Sequence, residues 1–242
     1  MTPEVLPILF QDEALVAVNK PANLLVHRSL VSRHDVRFAV QIVRDQVGRA
    51  VHPPHRLDRG TSGALLFALD RDGARALGEQ FERREVGKTY LAVVRGVPEL
   101  EGFIDRPLAR VVDPIEGDLP PGPPQPALTR WRRLATGEMP WAIDPYPTSR
   151  YSLVELTPET GRQHQLRRHL KHLGNPIVGD GTYGKGVHNR AFAEHLHSHR
   201  MLLHCSRLTF AHPVSGAAMA IVAPLPADFS AVLDAFGWTV ET

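Results

Sequence analysis

The apolar positions of this 242-residue chain fall in short runs, none of them long enough for an extended helix. Ile8-Leu9-Phe10 and Leu15-Val16-Ala17-Val18 flank Gln11-Asp12-Glu13, which predicts two short strands joined by an acidic turn. Pro21 and Asn23 break that pattern, Val26-His27 resumes it, and a helix is expected over residues 37–47. Ala64-Leu65-Leu66-Phe67-Ala68-Leu69 contains no polar residue and reads as a buried central strand. Beyond it Asp72 can cap a helix whose Ala74, Leu77 and Phe81 form an apolar stripe, ending near Val86-Gly87. Residues 89–94 read as another strand, and residues 151–156 alternate as a half-buried one. A helix is predicted over residues 160–174. Thr160 and Gln163 have capping-box spacing, Leu166, Leu170 and Leu173 share a face, and Gly174-Asn175-Pro176 supplies the stop. Residues 201–204 and 218–222 are the last expected strands. Short strands interspersed with helices point to an α+β fold and away from a doubly wound sheet.

Residues 113–126 carry too many prolines for regular structure, because proline lacks an N–H and fixes φ. The flanking segments have the same strand-rich texture, so this stretch is expected to be a surface loop within one domain over residues 1–242. Hydrophobic residues make up 43% of the chain and charged residues 22%, ordinary values for a globular protein. No apolar run approaches the roughly 18 residues of a membrane span. The start of the chain has neither the basic residues nor the apolar core of a signal peptide. Cys205 is the only cysteine, which excludes an intramolecular disulfide and leads to the expectation of a cytoplasmic protein.

The net charge of +2 does not by itself indicate a nucleic-acid partner, but its distribution is uneven. Between Gly161 and His172 lie Arg162, Arg167, Arg168, Lys171 and three histidines with no acid among them. Such a stripe fits either a phosphate-contacting surface or a solvated helix face. His55-Arg56-Leu57-Asp58-Arg59-Gly60-Thr61-Ser62-Gly63 sets one carboxylate between two arginines at the mouth of the central strand. The arginines would hold Asp58 ionised, as an ion-pair partner or as a catalytic group. Arg162 falls near the second position of the expected helix, where the dipole disfavours a cation, so either a carboxylate faces it or it points into solvent. Asp58 is the candidate partner. Tyr90, in Lys88-Thr89-Tyr90, could pack in the core or stack on a planar base. His195, His197, His199 and His204 lie near Cys205, but without paired cysteines they do not make a zinc pattern. There is no Walker-type loop and no dinucleotide-binding glycine pattern.

Taken in order, His55-Arg56-Leu57-Asp58 with Thr61-Ser62-Gly63, Lys88-Thr89-Tyr90, and Gly161-Arg162-Gln163-His164-Gln165-Leu166-Arg167 resemble the successive motifs of RluA-family pseudouridine synthases. Asn19-Lys20-Pro21 and Val26-His27 resemble that family's first motif, with Asn23 in place to make a left-handed turn. Leu25-Val26-His27-Arg28-Ser29 and Gln165-Leu166-Arg167-Arg168-His169-Leu170 are most similar to a tRNA-acting branch that has no added N-terminal RNA-binding domain. The resemblance implies a pseudouridine synthase fold, a mixed, mostly antiparallel sheet with flanking helices around an RNA-binding cleft. It implies isomerisation of a uridine in tRNA, at position 65 of the T-stem, with ribosomal RNA as the alternative substrate. Asp58 would start glycosidic cleavage, Arg162 would hold it ionised, and Tyr90 would stack on the base and take the C5 proton. Arg56 would enter the RNA, with His55, Lys88, Arg167, Arg168 and Lys171 as further RNA contacts. No cofactor, metal, DNA or membrane partner is implied, and a monomer is expected. An RNA-binding protein without turnover is the reading from another class.

Overall fold

In the computed structural model, residues 5–27, 37–111, 122–143 and 145–240 are described; much of the proline-rich stretch therefore lies outside the described residues. Among the described residues are nine strands and five helices. In chain order they begin β1 (Ile8–Gln11), β2 (Leu15–Lys20), α1 (Ala39–Val47), β3 (Ser62–Ala68), α2 (Arg71–Glu82), β4 (Gly87–Arg95) and β5 (Glu101–Asp105). They continue with β6 (Leu128–Met139), β7 (Ser149–Pro158), α3 (Gln165–His172), α4 (Gly186–Leu196), β8 (Leu203–Ala211), β9 (Ala218–Val222) and α5 (Ala227–Ala235). The architecture is α+β, as the spacing of the apolar runs predicts.

The chain forms two compact units. One comprises Met1–Lys88, Ala109–Pro124 and Cys205–Pro224; the other comprises Thr89–Leu108, Gln125–His204 and Leu225–Thr242. In the first, β3 is buried at all seven positions and runs antiparallel to β2, from Leu15 opposite Ala68 to Lys20 opposite Gly63. β1 pairs with the other edge of β2. The turn between them is acidic as expected, with Asp12 Oδ1 accepting the N–H groups of Ala14 and Leu15 at 2.9 Å. β8 lies on the other side of β3, where Gly63 adopts φ +115° and a Cβ would fall 2.2 Å from the Cys205 carbonyl. Only glycine fits that approach. Asp70 caps α2, accepting the Gly73 N–H at 2.7 Å, so Asp72 is not the cap but sits in the first turn, where it still complements the dipole. The helix ends at Glu82, short of the expected Val86, because Arg84 turns left-handed at φ +61°.

In the second unit the strand order is β4-β7-β6-β5, all antiparallel. Alternation along β4 and β7 sorts side chains to two faces. Leu91, Val93, Tyr151 and Leu153 pack with Trp141, Phe192, Phe229 and Trp238, a core that draws on α4 and α5. Ala92, Val94, Val154 and Leu156 pack with Leu166 and Leu170 of α3. β7 is therefore covered on both faces rather than one. Its buried Ser152 donates to the Gly96 carbonyl at 2.8 Å. Helix α3 begins at Gln165, not Thr160. His164 before it is left-handed at φ 53°, so residues 160–164 are loop, and Arg162 does not sit at the positive end of a helix.

Candidate active site

Asp58 lies on a turn in the first unit, where its carbonyl accepts the Thr61 N–H at 3.0 Å. Three anchors hold that turn. His52 exchanges backbone hydrogen bonds with Ala68 of β3 at 2.9 Å. Three residues on, His55 Nε2 accepts the Leu66 N–H at 3.0 Å, and its ring stacks on Phe81 of α2 with centroids 4.6 Å apart. Lys20, fully buried at the end of β2, reaches the far side of the turn: its Nζ donates to the carbonyls of Leu24 (2.8 Å), Pro21 (2.9 Å) and Arg59 (3.3 Å). A buried ammonium is tolerated there because its donors meet carbonyl oxygens. Leu57 is buried, Asp58 and Arg59 are half-buried, and Arg56 is exposed.

This geometry turns His55 inward. With Nε2 accepting, the ring is neutral and carries its proton on Nδ1; burial, and then the charge of Lys88, push its pKa down to about 3. The imidazole expected as an RNA contact is occupied by β3 and α2. Lys88 is half-buried at the start of β4. Burial pushes its pKa down, with Cys205 opposing that and Arg84 adding to it. Nearby, burial and the charge of Arg56 lower the pKa of the exposed His27.

Tyr90 and Arg162 lie in the second unit. Tyr90, on β4 opposite Leu156, is half-buried and packs against the core that includes Leu166 and Leu170, so part of its ring is core and part accessible. Arg162 sits on the loop before α3. Its N–H donates to Gln165 Oε1 at 3.0 Å and its Nε to the Pro126 carbonyl at 3.1 Å. Its two Nη groups have no hydrogen-bond partner among the described residues.

The basic stripe divides when placed on the helix. Arg167 turns inward, with Nε 2.7 Å from Asp180 Oδ2 and Nη2 3.0 Å from Oδ1, and its guanidinium lies over Tyr183. Asp180 also accepts the N–H groups of Thr182 and Tyr183. Burial alone would raise the Asp180 pKa, but Arg167 and the two N–H groups bring it below the usual carboxylate range. The Arg167 side chain is 11% exposed and that of Asp180 not at all. His164, buried, meets the Tyr183 hydroxyl through Nδ1 at 3.1 Å. His169 is buried between Thr129 and the Arg106 carbonyl. Lys171 and His172 face solvent, and Arg168 does so in part.

The histidines near Cys205 are dispersed. His195 stacks on Trp141, His197 closes α4 in a left-handed conformation, and His204 lies against Phe229. Among the described residues no three His, Cys, Asp or Glu side chains gather as a metal site.

Lys20 and Gln165 lie within the motifs quoted above but carry no role there, while Asp180 and Tyr183 are site-building residues outside them. Lys20 leaves a trace, a charge closing a strand that opens on four apolar residues. Asp180 and Tyr183 leave none, since their partners are thirteen or more residues away.

Comparison with known proteins places this arrangement. The sequence model described as RNA pseudouridylate synthase matches residues 14–172, a segment that contains Asp58, Tyr90 and Arg162. The chain is 48% identical over 239 residues to the tRNA pseudouridine synthase C of Pasteurella multocida (strain Pm70), covering 98% of each protein. It is 50% identical over 236 residues to the tRNA pseudouridine synthase C of Pectobacterium carotovorum subsp. carotovorum, covering 97% of this chain and 63% of that protein. The structure of Human RNA Pseudouridylate Synthase Domain Containing 1 superposes with a TM-score of 0.71 at 30% identity, covering 93% of this chain and 86% of that one. The chain belongs to the RNA pseudouridylate synthase family.

Proposed function

We propose that this chain is a tRNA pseudouridine synthase acting on a uridine of the T-stem, at position 65. The observation that carries the tRNA activity is the 48% identity along 98% of both lengths to a protein named tRNA pseudouridine synthase C; the position is what the resemblance of the motifs implies. The reaction is an isomerisation. The N1–C1′ bond of uridine breaks, the uracil turns, a C5–C1′ bond forms, the C5 proton leaves to a base and N1 gains a proton. No atom is added and no electron is transferred, so the chemistry calls for no cofactor, nucleotide or metal.

Asp58 initiates cleavage, on a turn fixed at three points so that little reorganisation accompanies reaction. Arg162 supplies positive charge to the reacting carboxylate through its Nη groups. Tyr90 stacks its accessible face on the base and takes the C5 proton. The target uridine is stacked in a helical stem, so it must be flipped out, and the exposed Arg56 is the side chain that fills the space it leaves. Arg168 and Lys171 supply phosphate contacts. His55 is assigned to the fold, because its Nε2 is taken by the Leu66 N–H, and Arg167, paired with Asp180, stands beside the RNA contacts. The protein acts in the cytoplasm as a monomer.

Mapping pseudouridines in total tRNA and ribosomal RNA from a strain deleted for this gene tests the reading. Loss of one T-stem pseudouridine is expected. Loss confined to ribosomal RNA would move the substrate, and no loss from either RNA would favour a binding protein without turnover.

A further inference from the structure

The backbone of Arg106, the residue after β5, is held from both sides. Its N–H donates to the Ala127 carbonyl at 3.0 Å, and its own carbonyl accepts from His169 Nε2 at 3.1 Å. His169 is wholly buried in α3, and with its proton on Nε2 its Nδ1 accepts from the Thr129 hydroxyl at 2.9 Å. Two residues past Arg106, the buried Leu108 exchanges backbone hydrogen bonds with Gln125 at 2.9 and 3.1 Å. What this anchored segment presents to solvent is the Arg106 guanidinium.

That guanidinium meets no carboxylate. Its Nη1 stands against the ring of His172 in the last turn of α3, touching Nδ1 and, at 3.0 Å, Nε2. Neither side chain is an acid, so the contact leaves the charge of Arg106 uncompensated. Arg168, Lys171 and His172 fall on one side of the helix by their spacing. Among the described residues no carboxylate lies within ion-pair distance of Arg106, Lys171 or His172. The field here has one sign. Burial lowers the His169 pKa most and its bond to the Arg106 carbonyl opposes that, while Arg168, His172 and Arg106 all lower it as positive groups and no acid acts against them. The helix dipole accounts for Lys171 and His172 at the C-terminal turn. It does not account for Arg106, which another element brings to them. Gathering cations without an acid costs stability, and an anion seated among them removes that cost.

From this we infer that Arg106 and His172, with Lys171 beside them, form an anion site at the C-terminal turn of α3, and that its ligand is a backbone phosphate of the tRNA. The inference rests on the tRNA reading above and extends its contact surface from α3 onto the end of β5. A guanidinium offers phosphate oxygens a planar pair of donors. Phosphates carry no sequence information, so the site contributes affinity and register and leaves the choice of uridine to other residues.

The test is binding of a tRNA transcript by the full chain, followed by fluorescence anisotropy across about 50 to 200 mM salt. Arg106→Gln is expected to lower the slope of log affinity against log salt by about 1 and to weaken binding roughly 3- to 10-fold. Its melting temperature is expected to match that of wild type, because backbone bonds hold the segment. Arg106→Lys keeps the charge and is expected to keep the slope. Arg75→Gln removes an exposed arginine of α2 that pairs with Asp72; it controls for net charge and is expected to leave binding unchanged. A wild-type slope for Arg106→Gln, or an equal loss of slope in Arg75→Gln or in Arg106→Lys, would overturn the inference. A wild-type protein whose affinity for the transcript does not respond to salt would instead remove the tRNA reading, and the inference with it.

Discussion

An imidazole can accept a backbone N–H only while it is neutral, and this ties His55 to pH. Its ordinary value of 6.5 is pushed down to about 3 in the fold by burial and by the Lys88 charge. A base whose pKa is lowered on folding makes stability rise with pH wherever the unfolded chain binds more protons than the native one. That contribution is fully present above about pH 6.5 and is lost as pH falls toward 3. His55→Gln keeps an acceptor near the Nε2 position and cannot be protonated. Its melting temperature is expected to fall less steeply than that of wild type between pH 6.5 and pH 4; parallel curves for the two proteins would contradict the role given to His55. The motif around Asp58 is legible in the sequence as a set of residue types, but not in its directions. Arg56 faces out and His55 faces in, and the difference comes from Leu66 and Phe81, which lie on other elements.

Helix α3 shows at the scale of an element what pattern reading reaches. Leu166 and Leu170 fall on the buried face as their spacing predicts. The start was misplaced because Thr160 and Gln163 satisfy the spacing of a capping box, whereas the Thr160 hydroxyl is taken by Gln165 and the Leu128 N–H. The choice between those partners is tertiary and leaves no local trace. β6 escaped for a related reason. Its outward Arg130 and Arg132 interrupt the apolar signal, although Thr129 and Trp131, which alternate with them, are buried. The division of the basic stripe makes two opposed predictions. Arg167→Ala leaves the Asp180 carboxylate buried without its partner and is expected to cost about 3 kcal/mol of stability by chemical denaturation. Lys171→Ala is expected to leave stability unchanged and to reduce the slope of log affinity against log salt by about 1. A stable Arg167→Ala, or an unchanged salt slope for Lys171→Ala, would reverse the assignment of either side chain.

At the scale of the molecule, the residues to which the chemistry is assigned come from distant parts of the chain and from both compact units. Asp58 belongs to the first, Tyr90 and Arg162 to the second. The α+β class was legible because runs such as Ser62–Ala68 are apolar throughout and too short for helices. The partition into two units was not, because each unit draws on three separate stretches of sequence. The central claim is that the Asp58 carboxylate carries the reaction. Its most direct test is pseudouridine formation by Asp58→Asn on a tRNA transcript under single-turnover conditions, with affinity for the same transcript measured alongside. The account predicts a rate lowered at least about 1,000-fold with affinity within a few-fold of wild type. An Asp58→Asn protein that binds as wild type and still converts the uridine at a comparable rate would contradict it.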